Sequence, residues 1–207
     1  MCNRRQLKVG QREIMKWSAA TFEDGFEYIP REEINGFAHQ ADPIIKCQTP
    51  SLITGAVWGL VPAWSKKPQD IWDMTLNARI ESAATKPAFR DCLTNRCLVP
   101  SDGFYEWRWE DPKGKKKTKY LINYADEELF AFAGLYSVWT DPLTQQKITT
   151  YTILTTDANP TMAYIHNNKK RMPVILKKED CDTFLNAAPL ENFAYPAYDV
   201  PLIAFAV

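Results

Sequence analysis

Apolar residues in the middle of the chain fall into short runs that stop at turn-forming residues. GAVWGLV (55–61) ends at Pro62, and RCLVP (96–100) is a second such run. GFYEWRW (103–109) alternates, with Phe104, Glu106 and Arg108 on one side and Tyr105, Trp107 and Trp109 on the other. Strand side chains point to opposite faces in turn, so this pattern predicts a strand. Asp111-Pro-Lys-Gly114 has the residue order of a β-turn and TKYLINY (118–124) follows, which predicts a hairpin over 103–124. LFAFAGLYSVW (129–139) and KITTYTILT (147–155) predict a second hairpin around Asp141-Pro142. PVIL (173–176) and PLIAFAV (201–207) complete the strands. Helical stretches are few: Asn77 to Ala84, Pro87 to Leu93, Pro160 to about His166 with Asp157 as cap, and Lys178 to Ala187. Strands dominate without a βαβ rhythm. The expected fold is α+β, with an antiparallel or mixed sheet curled into a barrel-like core and a few short helices. No repeat or linker interrupts the sequence, so residues 1–207 are read as one domain.

Composition narrows the classes. The chain has 207 residues, 45% of them hydrophobic, and its 25 Lys and Arg balance 25 Asp and Glu. That is too apolar and too evenly charged for a disordered chain. No run approaches the roughly 18 to 20 apolar residues of a membrane span, so no membrane association is expected. The start, MCNRRQLKVG, lacks an apolar signal core, so a reducing, cytoplasmic setting with free thiols is expected. The neutrality hides a segregation of charge. Residues 1–17 carry five basic residues and one acid, 113–119 five Lys and no acid, and 166–178 five basic residues and no acid. Such runs either form a basic face or are solvated loop tips. The five cysteines have no CxxC spacing and only two histidines, His39 and His166, accompany them, so neither a metal nor a cofactor is expected.

Cys2 is the residue with distinctive chemistry. Removal of Met1 would place an α-amine and a thiol on adjacent carbons, which no internal cysteine offers. The amine, with a pKa of roughly 7.7 to 8.0, can condense with an aldehyde, and the thiol can then close a thiazolidine ring. The thiol alone can instead attack an acyl carbon; an uninvolved cysteine on a frayed terminus is the plain alternative. His166 can transfer protons near neutral pH or be a structural histidine. Glu106 among aromatics can be an acid/base group or a strand carboxylate facing solvent. Asn77 and Arg79 offer an amide and a phosphate-shaped guanidinium, or a helix cap and a salt bridge. Trp64 and Trp72, beside turns, can stack on bases if they flank a basic groove.

Several motifs recur in order: Met-Cys, WGLVPAW (58–64), NARIESA (77–83), RCLVPSDGFYEW (96–107), FAGLYSVW (132–139), ILTTDAN (153–159), and Ile165-His166 followed by RMPVIL (171–176). In this order they resemble the SOS-response-associated peptidase family, whose members process abasic sites. The resemblance implies a pseudo-symmetric β core and a covalent thiazolidine link between Cys2 and the ring-opened sugar of an abasic site in single-stranded DNA. It implies that Asn77 holds the terminal residue, that Glu106 orients the amine and assists Met1 removal, and that His166 exchanges a proton with the sugar oxygen. It further implies that Arg4, Arg79, Thr155, Thr156 and Arg171 line the DNA site; a monomer, joined to the nucleoid when cross-linked, is expected. Two departures stand out: Asn3 replaces the family's usual Gly, and the segment from His166 to Arg171 is longer than the shortest family versions. Asn tolerates left-handed backbone better than most residues. Two rival functions remain at this point: a thiol peptidase acting on other proteins, and a non-covalent single-strand binding module.

Overall fold

A computed structural model describes residues 2–125 and 128–207. Its strands in the first half are β1 (Arg4–Leu7), β2 (Thr21–Phe22), β3 (Arg31–Asn35), β4 (Ala41–Lys46), β5 (Leu52–Trp58), β6 (Asn77–Arg79) and β7 (Arg96–Ser101). The second half adds β8 (Gly103–Trp109), β9 (Lys117–Tyr124), β10 (Phe130–Thr140), β11 (Lys147–Asp157), β12 (Arg171–Pro173), β13 (Ile175–Leu176) and β14 (Leu202–Ala206). The α-helices are short: α1 (Gln11–Ser18), α2 (Pro160–Ile165) and α3 (Cys181–Leu185). None of the described helices is long and apolar enough to cross a membrane.

Five strands close on themselves. β11 pairs antiparallel with β10, β10 with β7, β7 with β4 and β4 with β5. β5 returns to β11 in parallel, with Val57 opposite Thr150 and Trp58 opposite Tyr151. Closure removes the unpaired edges that an open sheet would present. The expected barrel-like, mostly antiparallel α+β core is therefore present. A second sheet runs in the order β14-β9-β8-β1-β3, all antiparallel. Aromatic rings join it to the barrel: Phe104 of β8 meets Phe132 of β10 edge-on at 5.7 Å, and Phe132 meets Phe130 at 5.2 Å. Arg5 adds a polar bolt. Fully buried in β1, it donates to Pro100 O at 2.9 Å and Ser101 Oγ at 3.3 Å, and lies 3.5 Å from the buried Asp42 carboxylate of β4.

Both predicted hairpins form, and the first strand spans the predicted residues 103–109. Gly114 N–H donates to Asp111 O across the expected turn. The predicted helix over 77–84 does not form. Asn77–Arg79 is a strand paired in parallel with Ile153–Thr155, and turns follow it. A site for parallel pairing on β11 outweighs the modest helix preference of the Ala-Arg-Ile-Glu stretch. Between Pro87 and Leu93 only a 3₁₀ turn, Arg90–Cys92, is present. Helix α2 is capped by Asn159, whose side chain accepts from Met162 N, because the Asp157 carboxylate is engaged by Arg171 instead. Lys178 to Ala187 resolves into a 3₁₀ turn followed by α3.

Candidate active site around Cys2

The chain enters β1 from Cys2, and β1 lies between β3 and β8. Arg4 is opposite Tyr105 in antiparallel register, so one step outward brings Asn3 level with Glu106. Asn3 is anchored on the other side, where its carbonyl accepts from Gly36 N at 2.9 Å. Cys2 is only 1% exposed, unusual for a residue at a chain end. Its carbonyl accepts from Asn77 Nδ2 at 2.7 Å, and its thiol sits 3.7 Å from Arg4 O. Asn77 owes its position to the parallel pairing of β6 with β11. Its Oδ1 is buried without a hydrogen-bond partner among the described residues. That leaves an acceptor beside the residue whose amine the proposed chemistry would use.

His166 ends α2, where its N–H donates to Met162 O at 2.7 Å. The ring is 3% exposed, and Nδ1 lies 2.8 Å from Arg171 O. A carbonyl oxygen only accepts, so Nδ1 carries the proton and the lone pair of the neutral ring is on Nε2. A longer approach of Arg171 N to Nδ1, 3.3 Å, is subordinate to this bond. Burial pulls the His166 pKa below its ordinary value, and the negative field of Glu106 opposes that shift. Burial pushes the Cys2 thiol well up, and Glu106 adds to it. One buried carboxylate thus acts on both the thiol and the imidazole, which draws Cys2, Glu106 and His166 into one cluster with Asn77.

Asn167 fixes this arrangement. Its side chain accepts from Trp109 N at 3.0 Å and donates to Trp109 O at 2.9 Å, which ties the residue after His166 to the strand that carries Glu106. Arg108 reinforces the junction by donating to Tyr164 O and stacking over the Tyr164 ring at 3.8 Å.

The residues expected to touch DNA are distributed less uniformly. Arg79 is exposed, and among the described residues it makes no ion pair. Arg4 is half-buried and pairs with Glu33, which Lys119 shares. Arg171 is buried, and its guanidinium is bidentate on Glu81 at 2.8 and 2.9 Å and 2.7 Å from Asp157. What it presents to the cluster is the carbonyl that holds His166. Thr155 and Thr156 are each 1% exposed. The Thr155 hydroxyl lies 3.4 Å from Ala78 O, and that of Thr156 accepts from Tyr195 N at 3.0 Å. Trp64 is 57% exposed, whereas Trp72 has one face stacked on His39 at 4.0 Å. Sequence reasoning overlooked Asn167, Glu81 and Glu33, and read Asp157 as a helix cap rather than as a partner of Arg171. The Asn-Asn pair directly after His166 is the one signal that pointed there.

The family model described as SOS response associated peptidase (SRAP) matches residues 1–198. The abasic site processing protein YoqW of Bacillus subtilis is 44% identical over 130 residues, covering 62% of this chain and 55% of that protein. The abasic site processing protein HMCES of Gallus gallus is 33% identical over 145 residues, covering 59% of this chain and 41% of that protein. The matched region is about half the length of these curated relatives. A crystal structure of a Bacteroides thetaiotaomicron protein superposes with a TM-score of 0.88 at 29% identity, over 100% of this chain and 92% of that one. A Bordetella bronchiseptica protein shares the fold, with a TM-score of 0.82 at 24% identity over 100% of this chain and 99% of that one.

Proposed function

The chain belongs to the SOS response associated peptidase family, and on that premise we propose that it processes abasic sites in single-stranded DNA through a covalent bond to Cys2. Removal of Met1 frees the Cys2 amine. The amine adds to the aldehyde of the ring-opened sugar and loses water to give an imine. The thiol sulfur then bonds to the imine carbon while its proton passes to nitrogen, closing the thiazolidine. No oxidant or metal enters the balance. His166, neutral with its lone pair on Nε2, exchanges the proton that opens the sugar ring. Glu106 orients the ammonium and relays its proton, and Asn77 holds the Cys2 carbonyl. Arg79 takes a backbone phosphate, and Trp64 offers a face for a base.

The observation that carries this reading is the burial of Cys2 against Asn77, within the field of a carboxylate that also acts on His166. The test is incubation with an oligonucleotide containing one abasic site, followed by a denaturing gel. A slow-migrating adduct is expected from the protein, and none from Cys2→Ala. An undiminished adduct with Cys2→Ala overturns the assignment, and salt-reversible binding with no adduct favours a non-covalent module. Intact mass supplies a second check: active protein that retains Met1 excludes the thiazolidine, because the amine would be blocked.

A further inference from the structure

The hairpin that carries Glu106 ends in a lysine-rich tip that the cluster around Cys2 does not use. Lys113, Lys115, Lys116 and Lys117 are exposed there. Lys169 and Lys170, also exposed, follow His166 in the loop that Asn167 fastens to Trp109 at the turn end of the same hairpin. Six cations therefore stand at one end of the molecule. The acids in this stretch are Glu110, 3.6 Å from Arg108, and Asp111, whose carboxylate accepts from Lys113 N and Lys116 N.

The tip is built rather than loose. Asp111 closes the turn through those two amides. Gly114, at φ +63°, lies so close to the Trp109 ring that a Cβ there would come within 2.7 Å of it. Lys117 extends over the same ring, its ammonium 5.4 Å from the ring centre. A rigid loop presenting several ammonium groups without an ion pair among the described residues is suited to a polyanion with regularly spaced charges. Elsewhere around the cluster, Arg4, Arg5 and Arg171 are all paired with carboxylates. Beside the exposed Arg79, the lysine tip therefore offers an incoming strand a second, larger group of exposed cations.

We propose that this tip is a second nucleic-acid contact, which grips backbone phosphates of the lesion-bearing strand on one side of the reacting sugar. The proposal rests on the functional reading above for its account of what is being held. Trp109 is three residues beyond Glu106, about 10 Å along the strand, and the lysines stand on the order of 15 to 20 Å from Glu106. At roughly 3.4 Å per nucleotide in a helical strand, that separation is about five nucleotides.

The test uses the triple variant Lys113→Ser, Lys115→Ser, Lys116→Ser and oligonucleotides whose abasic site lies at the 5′ end, the centre or the 3′ end. Loss of three phosphate contacts should lower the slope of log affinity against log salt by about 2 on a single strand, at roughly 0.7 per contact. The effect should appear with a long flank on one side and vanish when that flank is cut to two nucleotides. Adduct formation at saturating protein on the short substrate should match the unmodified protein, which also shows that the variant is folded. An unchanged slope on every long substrate overturns the proposal. Slopes are also measured on undamaged strands of equal length, so that a protein forming no adduct, yet showing the lysine-dependent slope, would refute the covalent reading and leave this contact standing.

Discussion

A single side-chain amide, Asn77, holds Cys2 in place, and its loss should be felt mainly in the proposed covalent step. Asn77→Ala removes a part-buried hydrogen bond worth about 1 kcal/mol, which corresponds to a rate of adduct formation roughly 5-fold lower. A single-turnover time course would measure this, and an unchanged rate would remove Asn77 from the assembly. His166 makes a different prediction, in pH. Its native pKa is held below its ordinary value of 6.5 by burial. Below pH 6.5 the unfolded chain therefore binds a proton that the native ring resists, and the stability this residue contributes falls as pH drops through that value toward the native one. Urea titrations from pH 7.5 to 5 should show this loss in the unmodified protein and less of it in His166→Gln; equal pH dependence would contradict the burial effect. Cys2 stood out in the sequence by its chemistry, whereas Asn77, Glu106 and His166 were singled out through the motifs that carry the family resemblance. The partners of Arg171 were not. Glu81 is 90 positions away, and no local pattern says which of many carboxylates a guanidinium will meet.

Among the elements, the hairpins could be read from sequence because both of their signals are local: alternation along each strand, and turn chemistry between them. NARIESA (77–83) could not, since its strand exists only by pairing with β11, some 75 residues later. The opening 46 residues were the hardest to read. β3, REEIN, buries only Ile34, and helix α1 spans just eight residues with Ile14 as its one fully buried position, so each is too short for a periodic pattern to stand out. The junction of α2 with β8 is the element-level contact that the proposed activity depends on, because it sets His166 against Glu106. Asn167→Ala breaks both bonds to Trp109. A loss of about 1 to 2 kcal/mol in stability is expected, together with a several-fold slower adduct. Asn167→Asp keeps the acceptor for Trp109 N and should recover part of the stability. If the rate of adduct formation stays normal while stability falls, Asn167 supports the fold without positioning His166.

At the scale of the whole molecule, the formal net charge of zero conceals an unequal use of charge. Many arginines are internal braces, while the free cations are mostly lysines on loops. Arg5 is the extreme case. It lies three residues from Cys2 with no exposed side-chain surface, and it joins β1 to the barrel through Pro100, Ser101 and Asp42. In the sequence it belongs to a basic run read either as a basic face or as a solvated loop tip, and such a run gives no hint that one of its members points inward. Placing a guanidinium there costs solvation, which its hydrogen bonds and the Asp42 carboxylate offset. Removing it alone leaves Asp42 buried with Arg31 as its remaining ion-pair partner among the described residues. Arg5→Leu should therefore destabilise the protein by about 3 kcal/mol, the lower end of what breaking a buried pair costs. With a urea slope of about 2 to 3 kcal/mol per molar, the midpoint should fall by roughly 1 to 1.5 M. Because β1 delivers Cys2, the variant should also lose adduct formation below its unfolding midpoint, as the strand loosens from the barrel before the barrel opens. A loss of activity that coincides with global unfolding would mean that β1 and the barrel form one cooperative unit, and would limit the role of Arg5 to stability.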